Sequence, residues 1–337
     1  MLSWLGLLMI FLFKLIRRGA VLGALGVASL ALMGLFGFVV PEFDLFNHLQ
    51  VLLFAGGALG LVVVWGLLAG KARRLAVLYV LAGLAASSII LVPEMLGGLA
   101  PRPPAPASGT LTMMTHNVFG RNYDMQRVAQ AIHAANPDIV VLQEYFDGQA
   151  VDLHPLLVGD YPYFVRCRGG KRANLGLYSR LPIVQDQDGA CPDDAYGTIR
   201  TAHILAHVML ADGRSFSVMT THIDWPFPVA RQDEQLQALS GVLAGVDEPV
   251  ILAGDFNSTP WSYALRGFAS ANGLHRETLN LPTFPMIWYY LGGWRNMLPF
   301  LPLDHVMTRG GISVHSLGAG LETGSDHLPV VFTFSVE

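Results

Sequence analysis

The sequence predicts a layered α/β domain carried behind about three transmembrane helices. Three observations predict it: unbroken apolar stretches confined to the first hundred of 337 residues, a proline-rich break near residue 100, and short β-rich runs alternating with helical patterns beyond it. Hydrophobic residues make up 52% of the chain and charged residues only 14%, against about 25% charged in an ordinary soluble domain. That balance argues against one soluble globule. The first hundred residues hold six Lys/Arg and three Asp/Glu, which leaves the remainder with a net charge of −7. A module that gathers polyanions through a global positive field is excluded.

The opening run 1–13 is apolar but shorter than the roughly 20 residues that cross a hydrocarbon core. It ends at Lys14, Arg17 and Arg18 and is expected to lie in the interface. Because these charges follow the apolar run, it does not read as a cleaved signal peptide. Stretches 19–40, 49–68 and 75–92 have the length and continuity of spans and lack a polar face. Lys71, Arg73 and Arg74 fill the turn between the last two, whereas Glu42 and Asp44 follow the first. The positive-inside bias puts that turn in the cytoplasm, and three crossings then deliver the C-terminal domain to the other side, the periplasm for a bacterial inner membrane. A fourth crossing by 1–13 would reverse this.

The stretch 101–109, Pro-Arg-Pro-Pro-Ala-Pro-Ala-Ser-Gly, favours an extended spacer and bounds a domain over 110–337. Strands are expected at 111–115, 139–142, 175–178, 203–209, 215–220, 250–252, 305–308 and 330–335, and helices at 125–135, 228–243 and 262–271. Cys167 and Cys191 are the only cysteines. A disulfide in an oxidising compartment and two buried thiols are both compatible with their spacing.

Polar residues recur at strand ends: Asn117, Glu144, Asp255 with Asn257, and Asp326-His327 ahead of a final apolar strand. The segments Thr115-His-Asn117, Leu142-Gln-Glu144, Tyr178-Ser-Arg180, Thr221-His222, Gly254-Asp-Phe-Asn257, Leu303-Asp304 and Ser325-Asp-His327 together resemble the endonuclease/exonuclease/phosphatase superfamily, over about residues 110–336. The resemblance implies a four-layer α/β/β/α sandwich of the DNase I-like type and hydrolysis of a phosphate ester with a divalent cation. Hard oxygen donors suit Mg²⁺ or Mn²⁺ better than zinc.

In that frame Glu144 is the first metal ligand, with Asn117 as a neutral ligand or orienting partner and Asp326 as a further carboxylate. Asp255 orients or deprotonates the attacking water, and Asn257 holds a phosphate oxygen. His327 stabilises phosphoryl charge and Asp304 fixes its tautomer; His222 contacts the phosphate. Asn174 and Arg180 are candidate phosphate ligands, Arg180 equally able to close a surface ion pair, whereas His116, His203, His207 and His305 read as packing or surface residues.

The fold does not choose the substrate. Segment 282–303, with Trp288, Tyr289, Tyr290 and Trp294, is too aromatic for an ordinary exposed loop. Beside a membrane anchor it suggests a lipid or lipid-headgroup phosphate ester, admitted where Trp and Tyr favour the interface. It could equally pack on the spans or the domain core. A membrane-anchored extracytoplasmic nuclease is the second reading, with Arg166, Arg168, Lys171 and Arg172 as its basic cluster. A non-catalytic membrane scaffold is the third, and the intact set of motif residues argues against it.

Overall fold

The computed structural model describes residues 4–168, 172–184, 190–191, 201–247, 249–290 and 293–337. It forms two compact units: Met1–Leu96 with Trp261–Ala264, and Gly97–Pro260 with Leu265–Glu337.

The first unit contains α1 (Trp4–Leu35), a 3₁₀ segment (Pro41–Leu49), α2 (Gln50–Leu67) and most of α3 (Gly70–Gly98). Small residues let α1 and α3 touch, since a Cβ on Gly83 would lie 2.7 Å from the Ala28 Cα. Among the described residues two helical stretches, Pro41–Leu67 and Gly70–Gly98, are long and apolar enough to cross a membrane. The expected three spans are corrected to two on that measure. From Trp4 on, that opening run is continuous with α1, which passes through Lys14, Arg17 and Arg18 and stops at Leu35. The apolar helix after those charges ends at Leu35 and is shorter than the expected 19–40.

The second unit is built from β1 (Leu111–Asn117), α4 (Met125–Ala135), β2 (Ile139–Gln143), α5 (Asp147–Leu157), β3 (Tyr163–Cys167), β4 (Leu175–Ser179), β5 (His203–Met209), β6 (Ser215–His222), α6 (Val229–Leu243) and β7 (Val250–Asp255). It continues through α7 (Tyr263–Ala271), whose first residues belong to the other unit, β8 (His275–Arg276), β9 (Ile287–Tyr290), β10 (Gly293–Asn296), β11 (Asp304–Arg309), β12 (Ile312–Ala319) and β13 (Val330–Val336). One sheet runs β12-β13-β1-β2-β4-β3 and the other β5-β6-β7-β11-β8, with β9 and β10 forming a separate hairpin.

The two-residue period of a strand explains the layering. Met113, Ile139, Val141, Phe332 and Phe334 point into a core shared with Ile204, Phe216, Val218, Ile251 and Val306 of the other sheet. Their neighbours Met114, Val140 and Leu142 face outward onto Val128 and Ile132 of α4 and Leu153 and Leu157 of α5. Asp124 caps α4 by accepting the Arg127 N–H, and Asn136 ends it in the left-handed region. Helix α6 is the crossover between the parallel strands β6 and β7; the inner face is filled by the opposite sheet, so it lies outside.

Cys167 and Cys191 form a disulfide with Cα atoms 5.6 Å apart. The proline-rich stretch is tied to the domain, Arg102 pairing with Glu277 at 2.6 Å.

Candidate active site

Among the described residues only β1/β2 and β6/β7 pair in parallel, and both pairs end at the same edge of the sandwich. Asn117 lies opposite Gln143, with Glu144 next, and His222 lies opposite Asp255, which also pairs with Asp304 at the start of β11. Gly254 is required here because a Cβ would collide with the Thr221 carbonyl. Its absence brings β6 and β7 close enough to set His222 beside Asp255. Glu144 and Asn257 have φ values of 53° and 47°, a left-handed conformation costly for a glutamate and typical of a held functional side chain.

Asp255 is the point of convergence. Its Oδ1 accepts the Asn257 N–H at 2.8 Å, and its Oδ2 lies 3.0 Å from Asn117 Nδ2, 3.4 Å from His222 Nε2 and 3.7 Å from His327 Nε2. Burial raises its pKa to about 7, with His327 acting in the opposite direction. His327 Nδ1 lies 2.7 Å from Asp304 Oδ2, which also accepts from the Thr283 hydroxyl at 2.5 Å. Burial opposes the charge on His327, but Asp304 and then Asp255 outweigh it and raise its pKa to about 10. His222 goes the other way: burial, helped by Arg172, lowers it to about 3, so it is neutral at pH 7. Two imidazoles at one carboxylate thus carry different charges.

Glu144 Oε2 accepts the Gly120 N–H at 2.8 Å, and Oε1 lies 3.3 Å from Asn117 Nδ2. Burial pushes the Glu144 carboxyl up, but His222 and these hydrogen bonds leave it below the usual range. Asn117 therefore presents its amide N–H₂ to two carboxylates while its oxygen accepts from Phe119 N, which makes it an orienting partner. Burial raises Asp326 to about 6.

The structure brings Asn117, Glu144, His222, Asp255, Asn257, Asp304, Asp326 and His327 to one edge. Asn174 is near it, its carbonyl accepting the Tyr145 N–H, but Arg180 is not. Arg180 lies past the far end of β4, bonded to Asn136 and stacked over Tyr161. At about 3.3 Å per residue, positions 174 and 180 are too far apart to serve one phosphate. His116 and His305 are buried structural residues, bonded to Thr323 and to the Ser258 carbonyl.

Sequence reasoning gave no site role to Thr283, Ser325 or Gln143, and it placed Arg172 only in the basic cluster of the nuclease reading. Ser325 ties the Asn117 carbonyl to the His327 N–H. Gln143 spans the two sheets, donating to Thr115 and Thr220; its place between Leu142 and Glu144 was the available signal.

The cleft above these residues holds about 380 Å³ and is walled by Phe119, Trp225, Phe284, Trp288, Tyr289 and Trp294. Segment 282–303 is not only a loop: Ile287–Tyr290 and Gly293–Asn296 pair as an antiparallel hairpin. Trp288 packs on Phe284, which lies 4.8 Å from the His327 ring, while Trp294 packs on Phe119 and Tyr289. The Tyr290 side chain and Lys171 lie outside the described residues.

Comparison with known proteins bears on the fold and the family. The chain is 25% identical over 237 residues to a "UPF0294 protein" of Vibrio campbellii, covering 68% of this chain and 78% of the relative. A solved endonuclease/exonuclease/phosphatase protein of Bacteroides vulgatus superposes with a TM-score of 0.55 at 19% identity, over 68% of this chain and 100% of its own. A mannosyl-6-phosphatase of Bacteroides thetaiotaomicron superposes at 0.52 and 20% identity, over 66% and 99%; both are likenesses of fold. The family model "Endonuclease/Exonuclease/phosphatase family" matches residues 114–327, and the chain belongs to that family of phosphate-ester hydrolases.

Proposed function

We propose that the protein hydrolyses a lipid or lipid-headgroup phosphate ester, phosphodiester or phosphomonoester, at the membrane that anchors it, with Mg²⁺ or Mn²⁺. The observation that carries this reading is the meeting of Asp255, His222, His327 and Glu144 at the floor of an aromatic-walled cleft.

The donor set fits a hard cation. Asp326 Oδ1 is buried without a hydrogen-bond partner, and such an orphan is what a bound ion would complete. Glu144 and Asp326 would hold it, with Asn117 orienting Glu144; there the ion would neutralise charge building on the phosphate. Asp255, Asp304 and His327 also bring ligand atoms within 4.8 Å of one another. Asp304 Oδ1 is likewise unpartnered, but a cation there would need a deprotonated His327 nitrogen, so the first site is favoured.

Asp255, with a proton affinity matched to neutral pH, orients the attacking water and takes its proton. The His327 imidazolium and the Asn257 amide face the phosphoryl oxygens. A screen of the purified chain with Mg²⁺ or Mn²⁺ against lipid phosphoesters, DNA, RNA and soluble phosphates, with Asp255→Asn as the inactive control, tests the reading. Turnover confined to nucleic acid would replace it with the nuclease. Arg166 and Arg168 both pair with Asp147, which weakens the basic cluster a nuclease would use.

Trp288, Tyr289 and Trp294 are 50%, 56% and 44% exposed, too open for core packing and placed to meet an apolar leaving group or an interface. Replacing all three by serine is expected to lower turnover of vesicle-borne substrate about tenfold more than that of a soluble phosphate ester. Equal losses on both would remove the support for lipid.

The turn Lys71, Arg73, Arg74 between α2 and α3 supports a reading of the compartment. If that turn is cytoplasmic, the domain after α3 faces the other side whether or not α1 crosses. The disulfide agrees with an oxidising compartment, the periplasm of a bacterial inner membrane. A reporter active only outside the cytoplasm, fused to Glu337, is expected to be active; a silent, well-expressed fusion contradicts this placement.

A further inference from the structure

Arg172 lines the same cavity as Glu144 and Asp255, yet it belongs to no family motif and enters from the connection ahead of β4 at φ 57°. Its guanidinium is held from behind, Nε donating to Asp224 Oδ1 at 2.7 Å. Asp224 is only 6% exposed, and α6 fixes its backbone on both sides. The Asp224 N–H donates to Gln235 Oε1 at 2.8 Å, and Gln232 Nε2 donates to the Asp224 carbonyl at 2.8 Å. Both glutamines are buried. An ordinary surface ion pair has no such backing; this one is built as a rigid mount.

On the front side, Arg172 NH1 lies 3.2 Å from His222 Nε2, at the imidazole edge that also faces Asp255 and Asn257. A water attacking from Asp255 would meet a phosphorus whose non-bridging oxygens fall beside that guanidinium.

We propose that Arg172 is a phosphate-binding residue of this site and that Asp224 is its positioning residue. The outward N–H groups of the guanidinium grip non-bridging oxygens of the ester and of the inorganic phosphate released. The inference rests on the hydrolase reading and adds a residue to it. A planar fork matches two phosphate oxygens in a way that a lysine ammonium does not.

The test is calorimetric titration of inorganic phosphate into the full chain, with KM and kcat for 4-nitrophenyl phosphate measured in parallel on wild type, R172Q, R172K and D224N. R172Q is expected to weaken phosphate binding about 30-fold and to raise KM by a similar factor while kcat falls less. R172K is expected to restore only part of the affinity, and D224N to show a smaller KM effect with the charge intact. Phosphate affinity of R172Q within about twofold of wild type, or a wild type that binds no phosphate, overturns the proposal. Should R172Q melt early, R172K carries the test, and wild-type affinity there overturns it equally. A wild type that binds phosphate but cleaves no ester sinks the hydrolase reading alone; turnover with unchanged phosphate affinity in R172Q sinks only the role of Arg172.

Discussion

Asp255→Asn is expected to lower kcat by about 10³- to 10⁴-fold with little change in KM, the scale of losing a general base together with its charge. Asparagine keeps the shape of the side chain, so the Asn257 N–H can still be accepted at Oδ1. What disappears is the acceptor at Oδ2, on which Asn117, His222 and His327 converge. Burial already raises the Asp255 carboxyl to about 7, so losing its charge costs little, but Asn117 Nδ2 loses a buried acceptor and the melting temperature should fall by a few degrees. Initial rates on any turned-over ester check this. A loss smaller than about tenfold would show that another group takes the proton.

Asp304→Asn is expected to cost about 10²- to 10³-fold in kcat and to change the shape of the pH profile. Asp304 is the principal group holding His327 charged against burial, with a pKa of about 10. A histidine raised in the folded state stays protonated until pH passes its folded pKa, so wild-type activity should fall only near pH 10. Its contribution to stability has the same sign: full below about pH 6.5 and lost as pH rises through about 10. With asparagine the falling limb of kcat should move to lower pH by more than about one unit. Because the two residues act as one, Asp304→Asn with His327→Gln should lose hardly more than His327→Gln alone. An unmoved limb, or fully multiplicative losses, would separate Asp304 from His327.

The candidate site was legible because strand ends are readable. An apolar run followed by Asn117, Glu144 or Asp255 marks both the strand and the direction its last side chain faces. The partners of those residues were not legible. Thr283 and Ser325 reach Asp304 and His327 through folding, and Arg172 read as one charge in a basic cluster until Asp224 gave it a direction. Arg180 misled because its motif position hid the length of β4 between it and the cleft. Helix α5 was masked by Pro155 in its last turn, which reads as a breaker in sequence. The strand β12 could have been found, since Ile312 and Val314 alternate with Ser313 and His315. The hairpin was likewise announced by Ile-Trp-Tyr-Tyr before a glycine pair.

Gln143, reaching from one sheet to Thr220 of the other, makes the catalytic edge a gauge of how the sheets are stacked. Asn117 and Glu144 ride on one sheet, Asp255 and His222 on the other, and slippage by a single residue displaces them by about 3.3 Å, past hydrogen-bond reach. A loosened state that kept every strand would therefore be catalytically silent while its far-ultraviolet spectrum looked native. Turnover thus reports sheet alignment, a quantity that secondary-structure content does not measure.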